Sequence, residues 1–132
     1  MSTLVWFQQD LRLDDNPALA AAIERGKPVV AVFLWAPGEE GDWGQGAAAR
    51  WWLHHALEDL DGQLQEIGSR LVVRICEDSL QSLRDVVAEC GAGALYWNRR
   101  YEPTAVRRNA EIKSTLRDLG LGLDVRSFNA GM

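Results

Sequence analysis

The sequence is poor in the residues that staple chains, hold metals or attack substrates. It has two cysteines, two histidines and four prolines in 132 residues. Cys76 and Cys90 form no CxxC or Cys/His ligand spacing, which points to reduced thiols rather than a disulfide and argues against a metal site. His54 and His55 are adjacent and do not share a helix face, so they cannot chelate one ion as an i,i+4 pair would. They suggest no Ser-His-Asp or Cys-His set, and a solvent-facing or packing role is expected for both. No GxGxxG follows a strand and no GxxxxGK[ST] is present, so the standard pyrophosphate and P-loop cradles are missing. No apolar run nears the roughly 18 residues of a membrane span. The start, MSTLVWFQQD, has neither a basic n-region nor a small-residue cleavage site. A soluble, cytoplasmic chain with no membrane partner is expected.

Lysine is scarce too. Twelve of the 14 basic residues are Arg, which suits bidentate anion contacts and stacking on flat rings. The net charge of −5 discourages unspecific attraction to nucleic acid. The charge is uneven: residues 1–66 hold 4 basic and 11 acidic side chains, and 67–132 hold 10 and 8.

What is present describes one ordinary domain with one core: 47% apolar and 25% charged residues over a length typical of a single domain. The unusual feature is six tryptophans. Some belong in a core, and a flat aromatic ligand would account for others.

The pattern alternates strand and helix throughout. TLVWF (3–7) reads as a buried strand. Asn16-Pro17 opens a helix to Glu24, with Asn as cap and Pro in the first turn, and Gly26 ends it. PVVAVFLW (28–35) is a strand of the kind buried on both faces in a parallel sheet. The Gly-rich stretch 36–46 is a loop. From Ala47 to Ile67, apolar residues at 52, 53, 56, 57, 60, 64 and 67 predict a helix that places Trp52 in the core. RLVVRI (70–75) is a strand that alternates less than cleanly. Asp78-Ser79 caps a helix to Cys90 with Leu80, Leu83, Val86 and Val87 inward. ALYW (94–97) is a strand and NRRYEP (98–103) a loop. Thr104–Leu119 is a helix with Val106, Ile112, Leu116 and Leu119 on one side, and 121–128 is the last strand.

This β-α-β-α-β-α-β-α-β order implies an α/β, doubly wound, Rossmann-like fold: a five-stranded parallel sheet of order 3-2-1-4-5 with helices on both faces. Ligands of such sheets bind outside the carboxyl ends of the strands where the order reverses. That reversal falls between the first and fourth strands, so the loops 8–15, 36–46 and 98–103 rim one crevice.

Gln8 and Gln9 leave the first strand directly, and one of them should face this crevice, while Asp10 and Arg12 pair across the turn. Gly38 and Gly46 let backbone approach a ligand, and Trp43 is an aromatic in a loop. Arg50 and Trp51 open the second helix, where an Arg beside an aromatic can hold an anionic or flat group. Asn98, Arg100 and Tyr101 bring amide, guanidinium and phenol together, a mix that suits a heteroaromatic ring with hydrogen-bonding edges. A partner-facing or surface patch is the competing reading for Arg99 and Arg100. Arg107 and Arg108 continue a basic stripe that reads as a solvated face. These residues describe a small-molecule-binding module without a catalytic site of its own.

VWFQQDLRLDDNPALAAA resembles the opening of the DNA photolyase/cryptochrome family, in which a strand runs into W-F-R-x-D-L-R-x-x-D-N-P-A-L. The likeness continues through VFLWAPGEEGDWGQGAAARWWLHHALEDL, YWNRRYEPTAVRRN and VRSFNAG, so it covers essentially the whole chain. The WxPxEEGxW…RWWL stretch looks most like the plant-cryptochrome branch and the bacterial photolyases near it.

The resemblance implies an N-terminal α/β antenna domain. Its crevice would hold a light-harvesting chromophore, methenyl-folate first, with deazaflavin or FMN as alternatives, which passes excitation to FAD. The FAD sits in a helical domain that this chain lacks. That domain also binds damaged DNA, where cyclobutane pyrimidine dimers are split in light. Gln8 stands where the family often has Arg, which loses a charge beside the crevice. The Asn-Glu pair of some folate binders is replaced by Thr104-Ala105, the His before their second helix by Gln45, and the acidic residue of deazaflavin binders by Arg100. A folate held against Trp or Tyr and Arg, as in the plant-like branch, is therefore the expectation, with Gln8, Gly38, Trp43, Gly46, Arg50, Trp51, Asn98, Arg100 and Tyr101 as its candidate contacts. The same domain in a cryptochrome, a blue-light signalling protein, is the alternative. A phospho-acceptor receiver domain is a remote one: it would use Glu77 and Asp78, but has Arg126 where a Lys is wanted.

Overall fold

All five strands pair in parallel. The computed structural model describes residues 2–8, 16–35, 47–69, 71–99, 103–119 and 122–128, with the backbone alone for 47–50 and 103–105. The elements in chain order are β1 (Ser2–Phe7), α1 (Pro17–Glu24), β2 (Val29–Trp35), α2 (Ala47–Glu66), β3 (Leu71–Ile75), α3 (Ser79–Cys90), β4 (Ala92–Asn98), α4 (Pro103–Asp118) and β5 (Asp124–Phe128). The sheet order is β3-β2-β1-β4-β5, as the sequence implies. β1 lies at the centre, with Val5 opposite Ala31 of β2 on one side and Tyr96 of β4 on the other.

Strand side chains alternate between faces, and the two faces build two cores. Leu4, Trp6, Val32, Leu95, Trp97 and Val125 pack beneath α3 and α4 through Leu83, Val86, Ile112 and Leu116. Val5, Phe7, Ala31 and Tyr96 pack beneath α1 and α2 through Leu19, Ala22, Leu60 and Leu64. The central strands carry apolar residues on both faces because both are covered. β3 is an edge strand, which explains its weaker alternation: Val73 and Ile75 remain exposed.

Local chemistry sets the helix ends. Asn16 caps α1, its side chain accepting from the Leu19 amide, and Pro17 takes the first turn, where no amide donor is required. Asp78 caps α3 through the Leu80 amide at 3.0 Å. Gly91 ends α3 in the left-handed region at φ 63°, where a side chain would be strained.

The inward faces of two helices differ from the sequence expectation. On α2 the buried stripe is Leu53, Leu60 and Leu64, and Trp52 lies about 100° around the helix from it. Trp52 is 54% exposed, not core. On α4 the stripe is Asn109, Ile112 and Leu116, and Val106 lies about 120° from Ile112. Val106 is accordingly exposed, as are Ile67 and Leu119, which follow the last helical residues.

Candidate functional site

The helix after β1 covers one sheet face and the helix after β4 covers the other, so the carboxyl ends of these neighbouring strands part. Two buried amides stand there: Gln8 directly after β1 and Asn98 at the end of β4.

Asn98 is tied to α1. Its Oδ1 accepts from the Ala18 amide at 2.9 Å, and its Nδ2 donates to Asn16 Oδ1 at 2.7 Å. Asn16 Oδ1 also accepts from the Leu19 amide at 3.0 Å. Two side chains from distant parts of the sequence thus share the open amides at one helix N-terminus.

Gln8 is held from the opposite face. Arg108 of α4 donates through Nη2 to Gln8 Oε1 at 2.6 Å, and Asn109 Nδ2 donates to the same oxygen at 3.4 Å. Arg108 Nε also donates to Asn109 Oδ1 at 3.2 Å. The Arg108 guanidinium lies over Trp6, 5.4 Å from the ring centroid. Trp6 in turn packs edge-on against Trp97, with centroids 5.4 Å apart and planes at 76°. Arg108 is therefore a half-buried part of the crevice wall and not the solvated charge expected; only Arg107 of that pair is exposed. The charge that Gln8 lacks is supplied from α4.

Among the described residues this cluster is built of amides, a guanidinium and indoles. Such groups can bind and orient a planar, hydrogen-bonding ligand. Among the described residues, no group of three or more His, Cys, Asp or Glu could hold a metal ion. None of the described helices is long and apolar enough to cross a membrane.

At the start of α2, Trp51 is 66% exposed and packs edge-on against His55, with centroids 4.2 Å apart. His54 and His55 are exposed, and His54 pairs with Glu58 at 2.6 Å. Arg50 belongs to the same helix, but its side chain lies outside the described residues, as do Gly38, Trp43, Gly46, Arg100, Tyr101 and the expected Asp10–Arg12 pair. Of the sequence candidates, Gln8 and Asn98 stand at the adjoining ends of β1 and β4, and Trp51 lies on α2. Sequence reasoning missed Asn16 beyond its capping role, Asn109 and the inward turn of Arg108. A visible signal existed for Asn109: it occupies the same helical stripe as Ile112 and Leu116.

Residues 3–132 match the family model described as DNA photolyase. The chain belongs to the DNA photolyase family. It is 45% identical over 130 residues to Cryptochrome-1 of Arabidopsis thaliana, covering 98% of this chain and 19% of that protein. It is also 45% identical over 126 residues to a deoxyribodipyrimidine photo-lyase of Agrobacterium fabrum, covering 96% of this chain and 25% of that protein. Among solved structures, a bacterial class III photolyase from Agrobacterium tumefaciens superposes with a TM-score of 0.84 at 44% identity, over 97% of this chain and 25% of that one. The photolyase-family chain thus spans about a fifth to a quarter of the relatives it matches. Its likeness to plant cryptochromes and bacterial photolyases is the one that the RWWL-type motifs suggest. Family membership sets the receiver-domain alternative aside, and the Asp78 on which that alternative relied is committed to capping α3.

Proposed function

We propose that this domain holds a light-harvesting chromophore at the β1/β4 crevice of a deoxyribodipyrimidine photolyase, a light-driven repair enzyme for cyclobutane pyrimidine dimers. The observation that carries this reading is the buried polar cluster at the sheet's switch point: Gln8, Arg108 and Asn109 on one face and Asn98 with Asn16 on the other. Amides and a guanidinium beside packed indoles suit a flat heterocycle with polar edges. When bound, the chromophore supplies absorption in the near ultraviolet and blue and transfers that excitation to a second pigment.

The chain's own residues bind and position. Gln8 and Asn98 form the polar floor. Arg50 and Trp51 contribute an anion contact and a stacking surface from α2, and Gly38, Trp43, Gly46, Arg100 and Tyr101 contribute from the adjoining loops. Methenyl-folate is the favoured chromophore, ahead of deazaflavin and FMN. The FAD, the helical domain that carries it and the damaged DNA belong to the remainder of a protein as long as the photolyase relatives. A cryptochrome is the second reading, favoured by the 45% identity to Cryptochrome-1 of Arabidopsis.

Tryptophan-quenching titrations with methenyl-folate, deazaflavin and FMN test the antenna reading. Saturable quenching by one of them, weakened by Arg50→Ala or Trp51→Ala, is expected. Absence of saturable quenching by all three rejects a self-sufficient site. Light-dependent dimer repair by the full-length protein separates photolyase from cryptochrome.

A further inference from the structure

A second cleft lies between α4 and β5, with a volume of about 360 Å³. That is within the range of small-molecule pockets. α4 lines it with Val106, Asn109, Ala110 and Lys113, and the sheet side with Trp97, Arg99 and Ser127; Arg99, Lys113 and Ser127 meet as its polar wall.

Ser127 organises the polar wall. Its Oγ accepts from Arg99 Nε at 3.2 Å and from Lys113 Nζ at 3.0 Å. With both lone pairs engaged, the hydroxyl hydrogen is left to donate elsewhere. Arg117 follows one turn after Lys113 and donates to the Val125 carbonyl at 2.8 Å. Among the described residues no carboxylate pairs with Arg99, Lys113 or Arg117. Burial first, and then repulsion from Arg117 and Arg99, lowers the Lys113 pKa from its ordinary value. A net charge of −5 gives the whole chain no general attraction for anions, so this local arrangement has its own chemical direction.

We propose that the cleft between α4 and β5 binds a phosphate monoester that carries a small aromatic or apolar group. Its phosphoryl oxygens accept from the Lys113 ammonium, the Arg99 guanidinium and the Ser127 hydroxyl, three donors on one side of the cleft. Its organic group lies against Val106 and Ala110. A dianion matches two cations and a hydroxyl better than a singly charged carboxylate does, and Arg and phosphate have complementary fork geometry. This cleft shares Asn109 and Trp97 with the crevice proposed for the chromophore, but its ligand contacts, Arg99, Lys113 and Ser127, are not among that crevice's, so either proposal can fail without the other.

Phenyl phosphate, inorganic phosphate and benzoate, titrated into the 132-residue protein and followed by amide chemical shifts, provide the test. Phenyl phosphate is expected to bind tightest and to shift the amides of Ala110, Lys113 and Ser127. Lys113→Gln and Ser127→Ala are each expected to weaken it, the former by about tenfold or more, as for a lost charged hydrogen bond. Ala110→Glu keeps a good helix former on the exposed side of α4 and places a negative charge in the cleft, so binding should vanish while the melting temperature holds. Arg50→Ala and Trp51→Ala should leave phenyl phosphate affinity unchanged. Equal affinity for benzoate or inorganic phosphate, shifts mapping elsewhere, or undiminished binding by a folded Ala110→Glu or Lys113→Gln variant overturns the proposal.

Discussion

Asn98 at the end of β4 donates to Asn16 at the cap of α1 across 2.7 Å and 82 residues of sequence. The same Asn98 side chain accepts from the Ala18 amide, so a strand residue completes the capping of a helix that an earlier residue began. The pair locks α1 to the crevice margin. Asn98→Ala should cost about 1–3 kcal/mol, because it strands a buried amide donor. Asn16→Ala should cost about 0.5–2 kcal/mol, as for a lost cap. The double variant should lose less than the sum, since each disturbs the same helix end. Urea unfolding of the three variants checks this; strict additivity would show the two asparagines to be independent.

Arg108 and its neighbour Arg107 should behave differently despite being adjacent and identical. Arg108→Ala removes a charge-assisted bond to Gln8 and the contact with Trp6, a loss of about 1–3 kcal/mol. Arg107→Ala alters an exposed position and should stay within about 0.5 kcal/mol. Arg108→Lys should restore only part of the loss, because an ammonium cannot reproduce the planar fork. Thermal melts and tryptophan emission, which reports on Trp6, are the measurements.

Four of the described tryptophans fall at the two extremes of exposure. Trp51 and Trp52 are exposed, whereas Trp6 and Trp97 are buried. Iodide should quench part of the emission, and Trp51→Phe with Trp52→Phe should reduce that accessible fraction with a stability change within about 0.5 kcal/mol. Trp97→Ala should instead cost about 3–5 kcal/mol, a large share of the roughly 5–15 kcal/mol available to a small domain. An iodide-accessible fraction left unchanged by both substitutions would contradict this assignment of the exposed pair.

Lys113 makes stability depend on alkaline pH. Its folded pKa is lowered from 10.5 by burial and by Arg117 and Arg99, so between the folded and unfolded values the unfolded chain binds more protons. Stability attributable to this group therefore rises with pH through that window, and below it the cost of the folded ammonium is constant. Lys113→Gln should flatten the alkaline rise. At neutral pH it should raise the melting temperature by roughly a degree or two, since solvent screening limits the effect to tenths of a kcal/mol. Melting curves of both proteins at neutral and alkaline pH decide it.

Much of this domain is legible in its sequence. Asn16-Pro17 fixed the start of α1 and Asp78 the start of α3, because capping is decided within a few residues. The run 28–35 reads as a strand buried on both faces and 94–97 as another strand, and the alternation of strands and helices implies the order β3-β2-β1-β4-β5 by right-handed crossovers. The helix faces were less legible. Trp52 looked like core by type, but the stripe through Leu53, Leu60 and Leu64 turns it outward. Apolar spacing turns Val106 inward, yet Asn109, a polar residue, holds the buried position.

The crevice shows the same division. Sequence alone determined that Gln8 and Asn98 end neighbouring strands at the switch point, and the family motifs determined which proteins this chain resembles. Only the tertiary structure decided that Arg108 leaves the solvated stripe to lie over Trp6 and bond Gln8, that Asn98 caps a helix 82 residues before it, and that Arg99, Lys113 and Ser127 meet in one cleft. Capping and strand patterning are set by short-range sterics and hydrogen bonds, which a sequence carries locally. The direction of a long charged side chain depends on which acceptors and ring faces the packed sheet brings within reach, and those come from segments the local sequence does not contain.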